Sequence, residues 1–111
     1  MPVIDKPTFE ELKQMSGADF INELIDAFLD EAPIMMSHMD SALETQDVES
    51  FRRNAHSLKS NANTFGALQL GALARELEMM SRENNLDIGN RLEVLKEEYE
   101  NVAEVLRGMR T

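Results

Sequence analysis

Apolar residues recur at alternating intervals of four and three along two stretches of the chain, and this spacing constrains the fold more than any other feature. Phe51, Ala55, Leu58, Ala62 and Phe65 form one such seam. Ile88, Leu92, Leu95, Tyr99, Val102, Leu106 and Met109 form another. An α-helix advances about 100° per residue, so residues at this spacing share one face and need other helices to cover it. No strand-like alternation competes with the helical period.

The remaining punctuation fits a chain of helices. The sequence predicts a short first helix over about 7–15, with Pro7 at its start and Ser16-Gly17 as its stop. A longer helix over about 19–45 follows from Ala18 or Asp19, with Phe20, Leu24, Ala27 and Phe28 recurring on one side and a kink or break near Pro33. Asp47, or less well Ser50, caps a helix over about 48–65 that Gly66 ends. A fourth, over about 67–83, buries Leu70, Leu73, Leu77 and Met80, and Asn84-Asn85 breaks it. A fifth, over about 87–108, opens at Asp87. Short connections between long amphipathic helices imply an all-α fold. The expectation is an antiparallel up-down four-helix bundle with a short extra N-terminal helix, one domain over 1–111.

Composition narrows the function classes. The chain is 42% hydrophobic, enough for one core, and its net charge is -10. Such an acidic surface is poorly suited to nucleic acid or an anionic membrane. No apolar run approaches the ~20 residues that span a bilayer. The start, MPVIDKPTFEEL, lacks the pattern of a secretory leader. There is no Cys, so thiolate and disulfide chemistry are excluded. A cytoplasmic, monomeric protein is the expectation. Two histidines without Cys give no zinc spacing, and neither His38 nor His56 has a Glu three residues earlier, as di-iron bundles require. No metal site is expected. The absence of a Gly-rich phosphate loop argues against ATP binding and self-phosphorylation.

One segment stands apart: FRRNAHSLKSNANTFG, residues 51–66. With the seam fixed, His56 falls beside it on the helix surface, with Arg52, Lys59, Ser60 and Asn63 nearby. From Ser50 through Arg75 there is no Asp or Glu, although 21 such residues occur in the chain. The same span holds Arg52, Arg53, Lys59 and Arg75. A carboxylate-free face around one histidine suits a phosphorylated imidazole or an acidic partner pocket; from charge alone an ordinary basic patch on a solvated helix face fits equally well. Small residues, Ser57, Ser60, Ala62 and Asn63, leave the approach to His56 open, as in-line phosphoryl transfer requires. His38, among Met35, Met36 and Met39, has no nearby Lys and reads as structural.

The run AHSLKSNANTFGA resembles the signature of histidine phosphotransfer domains: His, an apolar residue two on, Lys three on, a small residue four on and Gly ten on. Here these are His56, Leu58, Lys59, Ser60 and Gly66. FLDEAP at Phe28–Pro33, ARELE after Gly66 and the long final helix extend the resemblance over most of the chain. Ser60 departs from the usual Gly. The resemblance implies that His56 accepts a phosphoryl group from a receiver-domain phosphoaspartate and passes it to another receiver aspartate. The partners implied are response regulators and hybrid histidine kinases, with Mg2+ on the receiver and no cofactor on this chain. It places Glu78, on the next helix, against the non-phosphorylated ring nitrogen, and Lys59 near the phosphate. Arg52, Arg53, Ser60, Asn63 and Gly66 are the candidate partner-binding residues. A non-catalytic adaptor that binds receivers without transfer is the rival reading.

Overall fold

The computed structural model describes residues 2–110, and all its regular structure is helical. Five helices follow in order: α1 Lys6–Ser16, α2 Phe20–Thr45, α3 Val48–Thr64, α4 Leu68–Arg82 and α5 Arg91–Met109. Local chemistry sets most of their ends. The Asp5 carboxylate accepts the Thr8 N–H at the start of α1, and Asp47 accepts the Ser50 N–H at the start of α3. Each thus satisfies an amide that a helix N-terminus leaves unpaired. Gly17 closes α1 in an extended, positive-φ conformation.

The end of α3 needs its glycine. Gly66 has φ +84°, its N–H donates to Asn63 O, and the Ala67 N–H reaches back to Ala62 O. This is the paired closure of a Schellman motif. A Cβ at Gly66 would also lie 2.7 Å from the Asp5 carbonyl oxygen. The position therefore requires glycine for both conformation and space. The Asp5 N–H donates to Gly66 O at 2.8 Å, tying the root of α1 to the end of α3.

α2 continues as helix through Pro33 rather than breaking there. A proline has no N–H for the carbonyl four residues back. That carbonyl, Leu29 O, instead accepts the Tyr99 hydroxyl of α5 at 3.3 Å. Tyr99 also meets Phe28, which meets Phe65, at ring-centroid separations of 6.0 and 5.2 Å. One aromatic cluster therefore joins α2, the end of α3 and α5.

α2 packs on α3, α3 on α4, α4 on α5 and α5 back on α2, while α1 lies against α2 and α3. The core is the inward set Ile21, Ile25, Phe28, Met39, Phe51, Leu58, Leu70, Leu77, Leu95, Val102 and Leu106, among others. The expected burial of Phe51, Leu58 and Phe65 is observed. Three sequence expectations need correction. On α2 the buried stripe runs through Ile21, Ile25, Phe28 and Ala32, so of the expected face only Phe28 is fully buried, while Phe20 and Ala27 are exposed. α5 begins at Arg91, not after Asp87: Asn85 and Asp87 form a side-chain turn, Gly89 takes φ +60°, and Ile88 is buried from a connecting segment. On α4 the buried face is rotated. Ala74 and Glu78 lie inside, whereas Leu73 and Met80 are half-buried at its edge.

Candidate functional site

The α3–α4 contact brings the histidine to its partner. Gly71 of α4 sits so close to α3 that a Cβ there would collide with the Asn63 side-chain oxygen. Two turns away, His56 meets Glu78. Residue 63 lies against 71 and residue 56 against 78, so the two helices run in opposite directions.

His56 is half exposed, with its side chain 50% accessible, whereas Glu78 is only 2% accessible. The His56 Nδ1 lies 2.8 Å from Glu78 Oε2. A carboxylate can only accept, so Nδ1 carries the proton and donates. Nε2 has no partner among the described residues and is the ring nitrogen left to react. Glu78 also holds two cations: Lys59 Nζ at 2.7 Å from Oε1 and Arg82 Nη2 at 2.9 Å from Oε2.

Burial pushes the Glu78 carboxyl up. Hydrogen bonds from Lys59, His56 and Arg82, with the charge of Lys59, outweigh that and hold it at about 2. It is therefore a carboxylate at any physiological pH, kept charged in a buried position by three donors. The side chains around this point leave no buried polar atom unpaired among the described residues.

The sequence-derived site residues separate by placement. On a helix, Lys59 lies about 60° to one side of His56 and Ser60 about 40° to the other. The Lys59 flank faces α4. Lys59 is therefore not the freely exposed lysine expected from the sequence: its side chain is 23% accessible and committed to Glu78. Arg53, Ser60 and Asn63 are exposed. Arg52 is half-buried and pairs with Glu49 one turn earlier. Its charge is thus partly offset by a carboxylate just outside the acid-free span, and Arg52 in turn holds the Glu49 carboxyl below its usual range. Gly66, unlike Arg53, Ser60 and Asn63, is buried beneath the Asp5 backbone. His38 is exposed on α2.

Two residues were missed. Arg82 belongs to the Glu78 cluster, and the Glu78–Arg82 spacing of four is the helical ion-pair spacing that would have flagged it. Met15, the most exposed large apolar side chain of those described, lines a shallow depression between α1 and the end of α3, with Thr8, Leu12, Asn63 and Thr64. No local sequence signal ties Met15 to α3. Among the described residues no group of His, Asp or Glu is placed to hold a metal ion, and no helix is long and apolar enough to cross a membrane.

Comparison with known proteins bears on this arrangement. A family model described as Hpt domain matches residues 23–105. That match spans α3, α4 and nearly all of α2 and α5, and leaves α1 outside. No curated protein matches the chain. Among solved structures, the histidine-containing phosphotransfer protein B (HptB) from Pseudomonas aeruginosa PAO1 is similar, with a TM-score of 0.88 and 22% sequence identity. The alignment covers 98% of this chain and 95% of that one. At that identity the likeness establishes a shared fold.

Proposed function

Given that the chain belongs to the Hpt domain family, whose members carry phosphoryl groups on histidine in phosphorelays, we propose that His56 is its phosphoacceptor. The observation that carries this reading is the one ring nitrogen of the half-exposed His56 that has no partner among the described residues. Glu78 occupies Nδ1, which fixes the tautomer and leaves Nε2 outward on a helix face bordered by small side chains.

In this reading Nε2 attacks the phosphorus of a receiver phosphoaspartate. The P–O bond to the receiver carboxylate breaks, and a P–N bond to His56 forms. Nδ1 keeps its proton, so the phosphorylated ring is cationic and Glu78 stabilises it. Reversal onto another receiver aspartate completes the relay. Lys59, 2.7 Å from Glu78, sits one turn from His56 and offsets charge on the transferring group. Mg2+ belongs to the receiver, and ATP binds elsewhere in the relay. The chain is thus a phosphocarrier intermediate.

The partners are receiver domains of response regulators and hybrid kinases. They dock around His56, with Arg53 and Ser60 on one flank, Asn63 nearer the α4 side, and the apolar contribution of Met15 from the end of α1. Arg52 borders that surface. We read the helices as an antiparallel up-down four-helix bundle, α2 to α5, with α1 added, forming one monomeric cytoplasmic domain over 1–111. The antiparallel α3–α4 pair and the ring of neighbouring helices support that arrangement.

The test is incubation of the chain with a panel of phosphorylated receivers, followed by detection of acid-labile phosphate. Label on wild type and none on His56→Gln is expected. Undiminished label on His56→Gln would refute the assignment. Receiver binding without label on either protein would favour the adaptor reading.

A further inference from the structure

The face of the bundle formed by α2 and α5 lies across the ring from the α3–α4 face that carries His56. It contains a groove of about 340 Å³ lined by Pro33, Met36, Asp40, Glu93, Glu97 and Glu100, with Ser37 and Lys96. On α2 the lining positions are 33, 36, 37 and 40, and on α5 they are 93, 96, 97 and 100. Each set follows the one-face spacing i, i+3, i+4, i+7, so two helical stripes face one another across the groove.

Two cross-links hold the helices in register near this groove. One is the Tyr99 hydroxyl on Leu29 O. The other is Lys96 Nζ, 3.0 and 2.8 Å from the two oxygens of Asp40. Residues 29 and 40 are about 16 Å apart along a helix, or three turns. Asp40 and Lys96 themselves line the groove, so their ion pair spans it and, with the Tyr99 link, fixes the spacing of its walls.

Its chemistry selects one kind of occupant. Pro33 and Met36 give an apolar floor. Glu97 and Glu100 have no ion-pair partner among the described residues, and Lys96, the groove's one cation, is already bound to Asp40. The rim is therefore net negative over an apolar base. An extended peptide would find no free backbone groups here, because both walls are helices with satisfied ladders, and the one carbonyl released by Pro33 is taken by Tyr99. A third helix can instead set its ridges between the two stripes. A second copy of this chain is a poor occupant, since each copy carries a net charge of -10.

We propose that the α2–α5 groove seats a basic amphipathic helix of a partner protein, on the face that leaves His56 open to a receiver. Such a contact tethers the carrier without competing with transfer. It does not depend on which residue is phosphorylated.

The experiment is an amide-resolved NMR titration of the full 15N-labelled chain. The probe is a synthetic amphipathic peptide of about five helical turns, with leucine on one face and lysine at its borders. A peptide with glutamate replacing lysine is the control. The expected result is shifts centred on Ser37, Asp40, Lys96 and Glu97. Affinity should fall at least about tenfold for the glutamate peptide and for the double variant Glu97→Lys, Glu100→Lys. These exposed substitutions leave the core untouched, and an unchanged amide spectrum elsewhere verifies the fold. Receiver-dependent labelling should be the same with and without saturating peptide. Shifts centred on α3 and α4, equal binding of the two peptides, indifference to the double variant, peptide inhibition of labelling, or a dimer closing the groove by light scattering would each overturn the proposal.

Discussion

Lys59 Nζ lies 2.7 Å from Oε1 of the buried Glu78, and that pairing changes what the lysine contributes. On sequence grounds, a lysine on an exposed helix face has little to lose, so Lys59→Ala should slow transfer and barely affect stability. In the structure the same substitution removes one of two cations from a carboxylate that is 2% accessible. Leaving a buried charge less compensated costs more than losing an exposed one. His56 and Arg82 remain, so the loss should be about 1–2 kcal/mol rather than the larger cost of an orphaned ion. A urea melt of Lys59→Ala should show a lowered midpoint with unchanged slope. A midpoint equal to wild type would mean the pair has no net worth. The transfer rate at saturating phospho-receiver should also fall, since the cation beside the transferring group is gone.

The same cluster sets an acid dependence. Glu78 titrates at about 2 in the folded chain, against an ordinary value of 4.5. A lowered folded-state value means that the stabilisation is fully present above the ordinary value and disappears as pH falls through the folded one. The window is thus about pH 5 down to pH 2. The full shift corresponds to about 3 kcal/mol, and the solvent around Arg82 and Lys59 reduces that to about 2 kcal/mol. Wild type should lose that much more stability than Glu78→Gln across the window, measured by urea midpoints at fixed ionic strength. Parallel pH profiles for the two proteins would show that Glu78 is not the group responsible.

Much of this arrangement could be read from the sequence, and what could not has physical reasons. The four–three seams placed Phe51, Leu58 and Phe65 inside and His56 outside, because one helical face cannot serve both roles. Asp47 and Gly17 acted locally as helix punctuation, so they were visible without tertiary context. The rotation of α4 was not. Leucine is the default guess for a buried helical position, yet Ala74 and Glu78 occupy the interior because Gly71 lets α4 approach α3 closely. Glu78 was associated with His56 by family resemblance and by the antiparallel return after Gly66; nothing in its local sequence marks it as buried. The start of α5 was misplaced because Ile88 fits the helical seam although Gly89 turns the backbone after it. Gly66 was placed with the partner-facing residues, although it is held under Asp5 by a contact 61 positions distant in sequence, a closeness no local pattern reveals.

Replacing Gly66 should therefore act on stability and not on docking. Alanine there meets a left-handed φ of +84° and a contact of 2.7 Å with the Asp5 carbonyl. The conformational strain alone is worth about 1–2 kcal/mol, and relieving the collision displaces the root of α1. Gly66→Ala should lower the unfolding midpoint. It should also speed hydrogen exchange of the Asp5 amide, whose acceptor is Gly66 O. Receiver affinity below the melting range should stay near that of wild type. A loss of affinity without loss of stability would return Gly66 to the docking surface.

Orientation and docking should separate kinetically, because they lie on opposite flanks of His56. Glu78 holds Nδ1 from α4, whereas Ser60 is exposed one turn along α3 on the other side. Glu78→Ala frees the ring to change tautomer and angle, so it should lower the transfer rate within the formed complex and leave receiver affinity nearly unchanged. The accompanying stability loss is monitored separately, and the kinetics are run well below the variant's melting range. Ser60→Phe adds a large ring where a partner must approach, so it should weaken receiver binding while the rate at saturation changes less. Stopped-flow transfer at varied phospho-receiver concentration yields the two parameters for each protein. An effect of Glu78→Ala on affinity alone, or an unaltered affinity in Ser60→Phe, would contradict this division even with His56 as the phosphorylated residue. The opposite flanks make the two substitutions independent, so in the double variant the losses should multiply.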